Sequence, residues 1–332
     1  MSPRPRSKRG PAPFTVEMPA GLPAERSGEQ WHIDIDGRVV RLSNLEKVYW
    51  PENGYTKGDL LTYYYNVADV ILTHVAGRPL VLKRKPDGIH GQGWLEKDAP
   101  AYTPGWVPRC VVEHEAAREG PTVGYLMADD VASLLFVANL GAIDLHPILA
   151  PCTDTHHPEA VLFDLDPAPP ATFEDACAVA LHVRAALSTL GLPSSAKTSG
   201  ATGVHVFVGI ERGPSYQQVR RFATTICRLI AKADPERVTL EKSVAGRGGK
   251  VYLDPAMNRR GQNVASAYSV RPVASAAVST PVTWDEVRDG IRPEDFTIAT
   301  VHERLRANGD IFAPVARRPA DLGPALDRLA VR

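Results

Sequence analysis

Cysteine is scarce in this chain and scattered. Cys110, Cys152, Cys177 and Cys227 form no CxxC pair. That excludes the usual zinc spacing and gives no sign of a disulfide framework. A reducing, cytoplasmic setting is the expectation that follows. Long apolar runs are missing too: no stretch approaches the roughly 18 residues that cross a bilayer, so no membrane partner is expected. The basic N-terminus (Arg4, Arg6, Lys8, Arg9) runs into Pro11 and Pro13 and not into an apolar core, so it does not read as a signal peptide. Nor does one sign of charge dominate, since 38 Lys and Arg balance 38 Asp and Glu. Any binding of nucleic acid must therefore come from where charges sit, not from their total.

What is present has the composition of a globular protein, with 44% hydrophobic and 23% charged residues over 332 positions. Residues 1–28, rich in Pro, Arg, Ser and Gly, read as a flexible, solubilising tail. From Trp31 the chain becomes patterned. WHIDIDGRVVRLS (31–43) alternates around Asp36-Gly37 as a hairpin does. A helix is expected from Thr56 to Leu72, and another over Met127–Leu140 with Asp129 or Asp130 near its start. Helices are also expected over 172–190, with Thr172 as cap and Gly191 past its end, and over 215–233, opened by Ser215. Apolar strands are expected over PLVLKR (79–84), AVLFDLDP (160–167), VHVFVGI (204–210) and KVYLDP (250–255). Strands alternating with helices predict a mixed α+β core. It spans 29–315 as one domain, and 316–332, with Pro319 and Pro324, is expected to be a loosely packed extension.

The carboxylates carry the chemistry. Asp164 and Asp166 lie two apart on a strand, so both side chains leave one face. Two neighbouring carboxylates repel unless a cation lies between them, and hard oxygen ligands suit Mg²⁺ or Mn²⁺. Asp254 closes a second apolar strand and is the candidate third member. Three such groups can hold two ions roughly 3.5–4 Å apart for in-line phosphoryl displacement. A solvated strand end before an Asp-Pro turn would look similar, but Val161, Leu162, Phe163 and Leu165 mark a core strand. In KTSGATGVHVFV (197–208), Ser199, Gly200 and Gly203 suit close approach of a triphosphate to backbone N–H groups. His205 follows on the next strand, able to donate to phosphate or to pack as a core histidine. Lys83, Arg84 and Lys85, with Trp94 nearby, offer cations and an aromatic platform for single-stranded nucleic acid, or simply a solvated face. Arg271, after AYSV, can pair with a phosphate or a surface carboxylate.

Together these segments resemble the polymerase domain of bacterial ligase D, within the archaeo-eukaryotic primase superfamily. The resemblance runs from about Leu42 to about Leu305. It rests on LSNLEKVYWPENGYTKGDLLTYY, GRPLVLKRKPDG, LLFVANLGAIDLHP, VLFDLDP, KTSGATGVHV and LDPAMNRRGQNVASAYSVRP, in that order, followed by VSTPVTWDEV. It implies a primase-type catalytic domain with an RRM-like central sheet. Asp164, Asp166 and Asp254 match the family's catalytic, metal-binding triad. Ser199, His205, Arg271 and His146 match its nucleotide contacts, and Lys47 and Lys57 match two lysines that hold the 5′-phosphate of a downstream strand. The resemblance further implies manganese and a preference for ribonucleoside triphosphates over deoxyribonucleotides. Two positions depart from the family: Thr202 stands where a lysine is usual, and Trp94-Leu95 where an aromatic pair stacks on the template.

The function expected on these grounds is a template-directed nucleotidyl transferase, associated with the nucleoid. It would fill gaps and extend DNA ends in non-homologous end joining. No ExxDG ligase motif or nuclease segment is seen, so Ku and a separate ATP-dependent ligase are the expected partners. Three alternatives share parts of the pattern: a primase-polymerase starting chains on single-stranded DNA, a non-catalytic end-binding recruitment module, and a metal-dependent phosphohydrolase.

Overall fold

The computed structural model describes residues 21–28, 30–113 and 122–330. The four basic residues of the expected tail lie outside the described residues. Glu25–Ser27 is not tail but an exposed strand paired to Gln30–Ile35, which turns into Arg38–Leu42. That turn is the expected hairpin: Asp36 and Gly37 both take positive φ, at 50° and 79°, as a two-residue turn of matching twist requires.

Capping chemistry sets most helix starts. Thr56, Asp130, Thr172, Ser215 and Thr283 each accept a hydrogen bond from the backbone of the residue three on, whose side chain returns one. The helices are Lys57–Asn66, Val131–Asn139, Phe173–Thr189, Tyr216–Ala233 and Trp284–Asp289. The helix expected over 56–72 is in fact two, Lys57–Asn66 and Ala68–Val75. Val67 (φ −101°, ψ 8°) departs from helical backbone and ends one helix as it begins the next. Apolar periodicity is continuous across that joint, so the pattern could not reveal it.

A six-stranded sheet forms the middle layer, in the order Val238–Thr239, Val251–Leu253, Ala160–Pro167, Val204–Gly209, Ser195–Thr198, Pro281–Val282. Only the first pair is parallel. Val161, Phe163 and Leu165 face helices Phe173–Thr189 and Tyr216–Ala233 in one core. Leu162 and Phe207 face the opposite way, into a second core. That second core is shared with another sheet, in the order Ala142–Pro147, Leu80–Arg84, Val123–Leu126, Arg109–Val112, with Trp94–Glu96 paired beside Leu80–Arg84. The α+β class and central sheet expected from the sequence are therefore found.

Two expectations are corrected. Cys110 and Cys152 are joined in a disulfide, with Cα atoms 5.8 Å apart. Cysteines 42 residues apart carry no spacing signal, and only packing of Arg109–Val112 beside the loop after Pro147 brings them together. Cys177 and Cys227 are free and buried. The stretch 316–330 is not loose. Leu322, Ala325 and Leu326 are buried in the core beneath helices Phe173–Thr189 and Tyr216–Ala233, and Ala320 exchanges backbone hydrogen bonds with Gly209 and Glu211. The prolines marked a break in regular structure, not a loss of packing. No helix among the described residues is long and apolar enough to cross a membrane.

Candidate active site

Strand register builds the site. Asp164 pairs with His205, and His205 pairs with Lys197 across the next strand. On the other side Leu165 pairs with Leu253, so Asp254 comes opposite Asp164, and its N–H donates to the Asp164 carbonyl at 3.2 Å. Lys197, His205, Asp164 and Asp254 thus form one row across four strands. Asp166 projects from the same face one pleat on, opposite Tyr252. The strand expected over 250–255 ends at Leu253 because Asp254 caps a short 3₁₀ turn, accepting from the Ala256 N–H at 2.8 Å.

The row is chemically ordered. Lys197 is fully buried, and its Nζ lies 2.7 Å from His205 Nδ1 and 2.6 Å from Ser279 Oγ. Ser279 Oγ donates to the Thr198 carbonyl at 2.8 Å, so it accepts from lysine. An amine donating to Nδ1 places the ring proton on Nε2, which faces Asp164 Oδ1 at 3.2 Å. Burial first, then the adjacent Lys197, pushes His205 down to about 4, so the ring is neutral near pH 7. Burial alone would raise Asp164, but the His205 hydrogen bond prevails and holds it below the usual carboxylate range.

Asp166 is half exposed and its Oδ2 accepts from Arg247 Nη1 at 2.7 Å. Arg247 is nearly buried and stacks 4.2 Å over the Tyr252 ring. The three carboxylates share a face and supply the hard oxygen donors a divalent cation requires. Their present partners nonetheless turn them apart, toward His205, Arg247 and the 255–258 turn. Among the described residues no three His, Cys, Asp or Glu side chains are gathered into a metal site. The donor set fits two-metal chemistry, provided that Asp166 releases Arg247.

The Ser199–Gly203 loop is not an open anion nest. Ser199 Oγ accepts from the N–H groups of Ala201 and Gly203 at 3.1 and 3.0 Å, which leaves its own proton to donate. The glycines are fixed by packing as well. A Cβ on Gly203 would fall 2.2 Å from the Leu165 carbonyl oxygen, and Gly200 holds φ +69° against Arg271 and Ser279. Arg271 Nη1 donates to the Ser199 carbonyl at 2.7 Å, and its Nε lies 2.9 Å from Asp144. Asp144 is fully buried, and His146 Nε2 approaches it at 2.8 Å. Neither of these two close contacts is aligned as a hydrogen bond. Ser269 supplies an aligned one to Oδ1 at 3.1 Å. Asp144 thereby joins the second sheet to the loop of the first.

A family model described as the LigD primase-polymerase domain matches residues 56–312. This chain belongs to that family. A multifunctional non-homologous end joining protein LigD of Mycolicibacterium smegmatis is 31% identical over 280 residues, covering 83% of this chain and 36% of that protein. The bifunctional LigD of Bacillus subtilis is 27% identical, covering 85% of this chain and 45% of its own length. The chain thus spans less than half the length of these curated relatives. A solved polymerase domain from Mycobacterium tuberculosis ligase D, in complex with DNA, superposes with a TM-score of 0.78 at 28% identity. It covers 84% of this chain and 98% of that one.

In this LigD-family domain the remaining predicted residues lie on the second sheet, at the start of helix Lys57–Asn66 and in the loop after Arg38–Leu42, outside the carboxylate row. Lys57 is buried, its Nζ donating to Ser43 Oγ at 3.2 Å. Burial, then repulsion from Lys47 and Arg84, brings it down to about 8, so the three cations share one neighbourhood. Lys47 pairs with Asp87. Arg84 donates to Glu96 and stacks 5.0 Å over Trp94, which is 44% exposed beside an exposed Leu95. Lys83 pairs in register with Asp144. Lys85 is spent on its own loop, donating to the Ile89 and Gly91 carbonyls. Sequence reasoning missed Asp144, Lys197 and Arg247. Asp144 left a legible trace, a charged residue at a core-facing position of an apolar strand; Lys197, in the polar strand Ser195–Thr198, and Arg247, in a glycine-rich loop, left none.

Proposed function

We propose that this domain is a template-directed nucleotidyl transferase that adds nucleotides to DNA ends and gaps during end joining. The observation that carries the reading is the row of Lys197, His205, Asp164 and Asp254 in register, with Asp166 on the same face. Asp164, Asp166 and Asp254 would hold two divalent cations, Mn²⁺ or Mg²⁺, which lower the pKa of an attacking 3′-hydroxyl and neutralise a leaving pyrophosphate. His205 orients Asp164 from behind. The Ser199 hydroxyl, Arg271 and His146 line one side of the row and are positioned to bind the phosphates of an incoming nucleotide, ATP or dATP. The LigD relatives' names place them in end joining, and the cation cluster of Lys47, Lys57 and Arg84 is suited to a 5′-phosphate. Trp94 offers one stacking face to a template base.

The test is extension of a labelled, gapped duplex with Mn²⁺ and ATP or dATP, with and without a downstream 5′-phosphate. Addition that follows the template base, is stimulated by the phosphate and disappears in Asp166→Asn supports the reading. Full activity of Asp166→Asn sinks the metal assignment. Binding without addition by the unaltered protein points instead to a recruitment module.

A further inference from the structure

One large concavity is lined by none of the residues of the carboxylate row. It is a groove of about 1260 Å³ between helix Tyr216–Ala233 and the loops around His156 and Arg260. Arg220, Arg221, Arg228, Arg259 and Arg260 line it, and no Asp or Glu does. In a chain of zero formal net charge this concentration is a matter of placement. Val219, Phe222, Ile226 and Ile230 bury the helix's other face. Arg220 and Arg228, eight residues apart, therefore stand on one exposed stripe about 12 Å long.

Some other exposed arginines are neutralised locally. Arg212 pairs with Glu159, Arg288 with Asp285 and Asp289, and Arg292 with Asp295. Arg220 and Arg228 have no such carboxylate among the described residues. Exposed guanidinium groups on one face with no carboxylate beside them leave a local positive potential that an anionic partner would neutralise. The facing wall is held in place: Arg259 Nε donates to the Ala256 carbonyl at 3.2 Å and Arg260 Nε to that of Thr155 at 3.2 Å. That wall is also tied to the candidate active site. Asn258 exchanges hydrogen bonds of 2.9 and 2.7 Å with the backbone of Leu162, two residues before Asp164. Arg259 follows Asp254 by five residues, within about 18 Å of chain.

We propose that this groove binds the phosphodiester backbone of a DNA duplex arm, as a second site outside the candidate active site. Guanidinium groups match phosphate oxygens in a fork. The groove's tyrosine, Tyr216, is buried, and beside the five arginines its only other rings are the imidazoles of His156 and His157, so the contact is chiefly to the phosphate backbone and largely independent of sequence. The choice of DNA as occupant rests on the polymerase reading above.

The test compares gapped duplexes with long and short arms, binding the full chain without metal or nucleotide across a salt series. Arg220→Gln/Arg228→Gln should lower the slope of log K against log[salt] by about 2 on the long-armed DNA, and its affinity about tenfold. Binding and extension of the short-armed DNA should be unchanged, and Arg220→Lys/Arg228→Lys should restore the slope. An unchanged slope, or an equal loss on both substrates, overturns the proposal. So does a glutamine variant that keeps its DNA slope but loses binding to polyglutamate, which would assign the groove to an acidic protein. Because the readout is binding, a protein that extends neither substrate but shows the slope change would refute the polymerase reading and leave the groove standing.

Discussion

A hydrogen bond from Lys197 Nζ decides which ring nitrogen of His205 carries its proton, and so whether His205 can donate to Asp164. Lys197→Met keeps the volume and removes that donor. Extension should fall by on the order of 10–100-fold, the usual cost of losing a group that orients a ligand from behind. Stability should fall by about 1–3 kcal/mol, since His205 Nδ1 is left a buried acceptor without its donor. Steady-state extension rates and melting curves of one preparation check both. Asp144 works through stability instead. Burial alone would raise its carboxyl, but His146 and then Arg271 outweigh it and hold it at about 2, against about 3.9 in an unfolded chain. The folded value is the lower one. Its stabilisation is therefore complete above about pH 4 and lost as pH falls toward 2, worth about 2–3 kcal/mol. Asp144→Asn should cost about 3–5 kcal/mol at pH 7, because Arg271 is left without its countercharge. In urea titrations the gap from the unaltered protein should narrow as the pH is lowered through 4 to 2.

At the scale of elements, caps and alternation were legible and junctions were not. Thr56, Thr172 and Ser215 announced their helices because a cap is a contact within four residues. The joint at Val67 and the early end of the Asp254 strand depend on backbone turns that no periodicity records. The C-terminal stretch shows the same limit: two prolines suggested looseness, while Leu322, Ala325 and Leu326 fill the core beside helices Phe173–Thr189 and Tyr216–Ala233. Leu322, 1% exposed, provides the check. Leu322→Ala should destabilise by about 2–5 kcal/mol, as a large-to-small change in a packed core does. A loose extension would show no change in its chemical denaturation midpoint.

For the whole molecule, the link between Cys110 and Cys152 ties a sheet edge to the loop that leaves the His146 strand. Closing a separation of 42 residues restricts the unfolded chain by an amount worth about 3–4 kcal/mol. Protein purified without reductant and then unfolded should present only the thiols of Cys177 and Cys227 to a thiol reagent, and Cys152→Ser should melt lower. Four reactive thiols would show that the bond is absent.

The sequence by itself determined the α+β class, most helix starts, the hairpin at Asp36-Gly37 and the pairing of Asp164 with Asp166 on one face. These follow from capping, turn chemistry and a period of two, all local. It also carried enough ordered motifs to indicate the LigD family. Tertiary structure alone decided that Lys197, His205, Asp164 and Asp254 share a row, since register between strands far apart in sequence is set by packing on both faces of the sheet. It decided too that Asp144 bridges the sheets, that Arg247 holds Asp166, and that arginines 30 to 40 residues apart face one groove. Each depends on contacts between distant segments, whose free energy is written in the core and not in any local pattern.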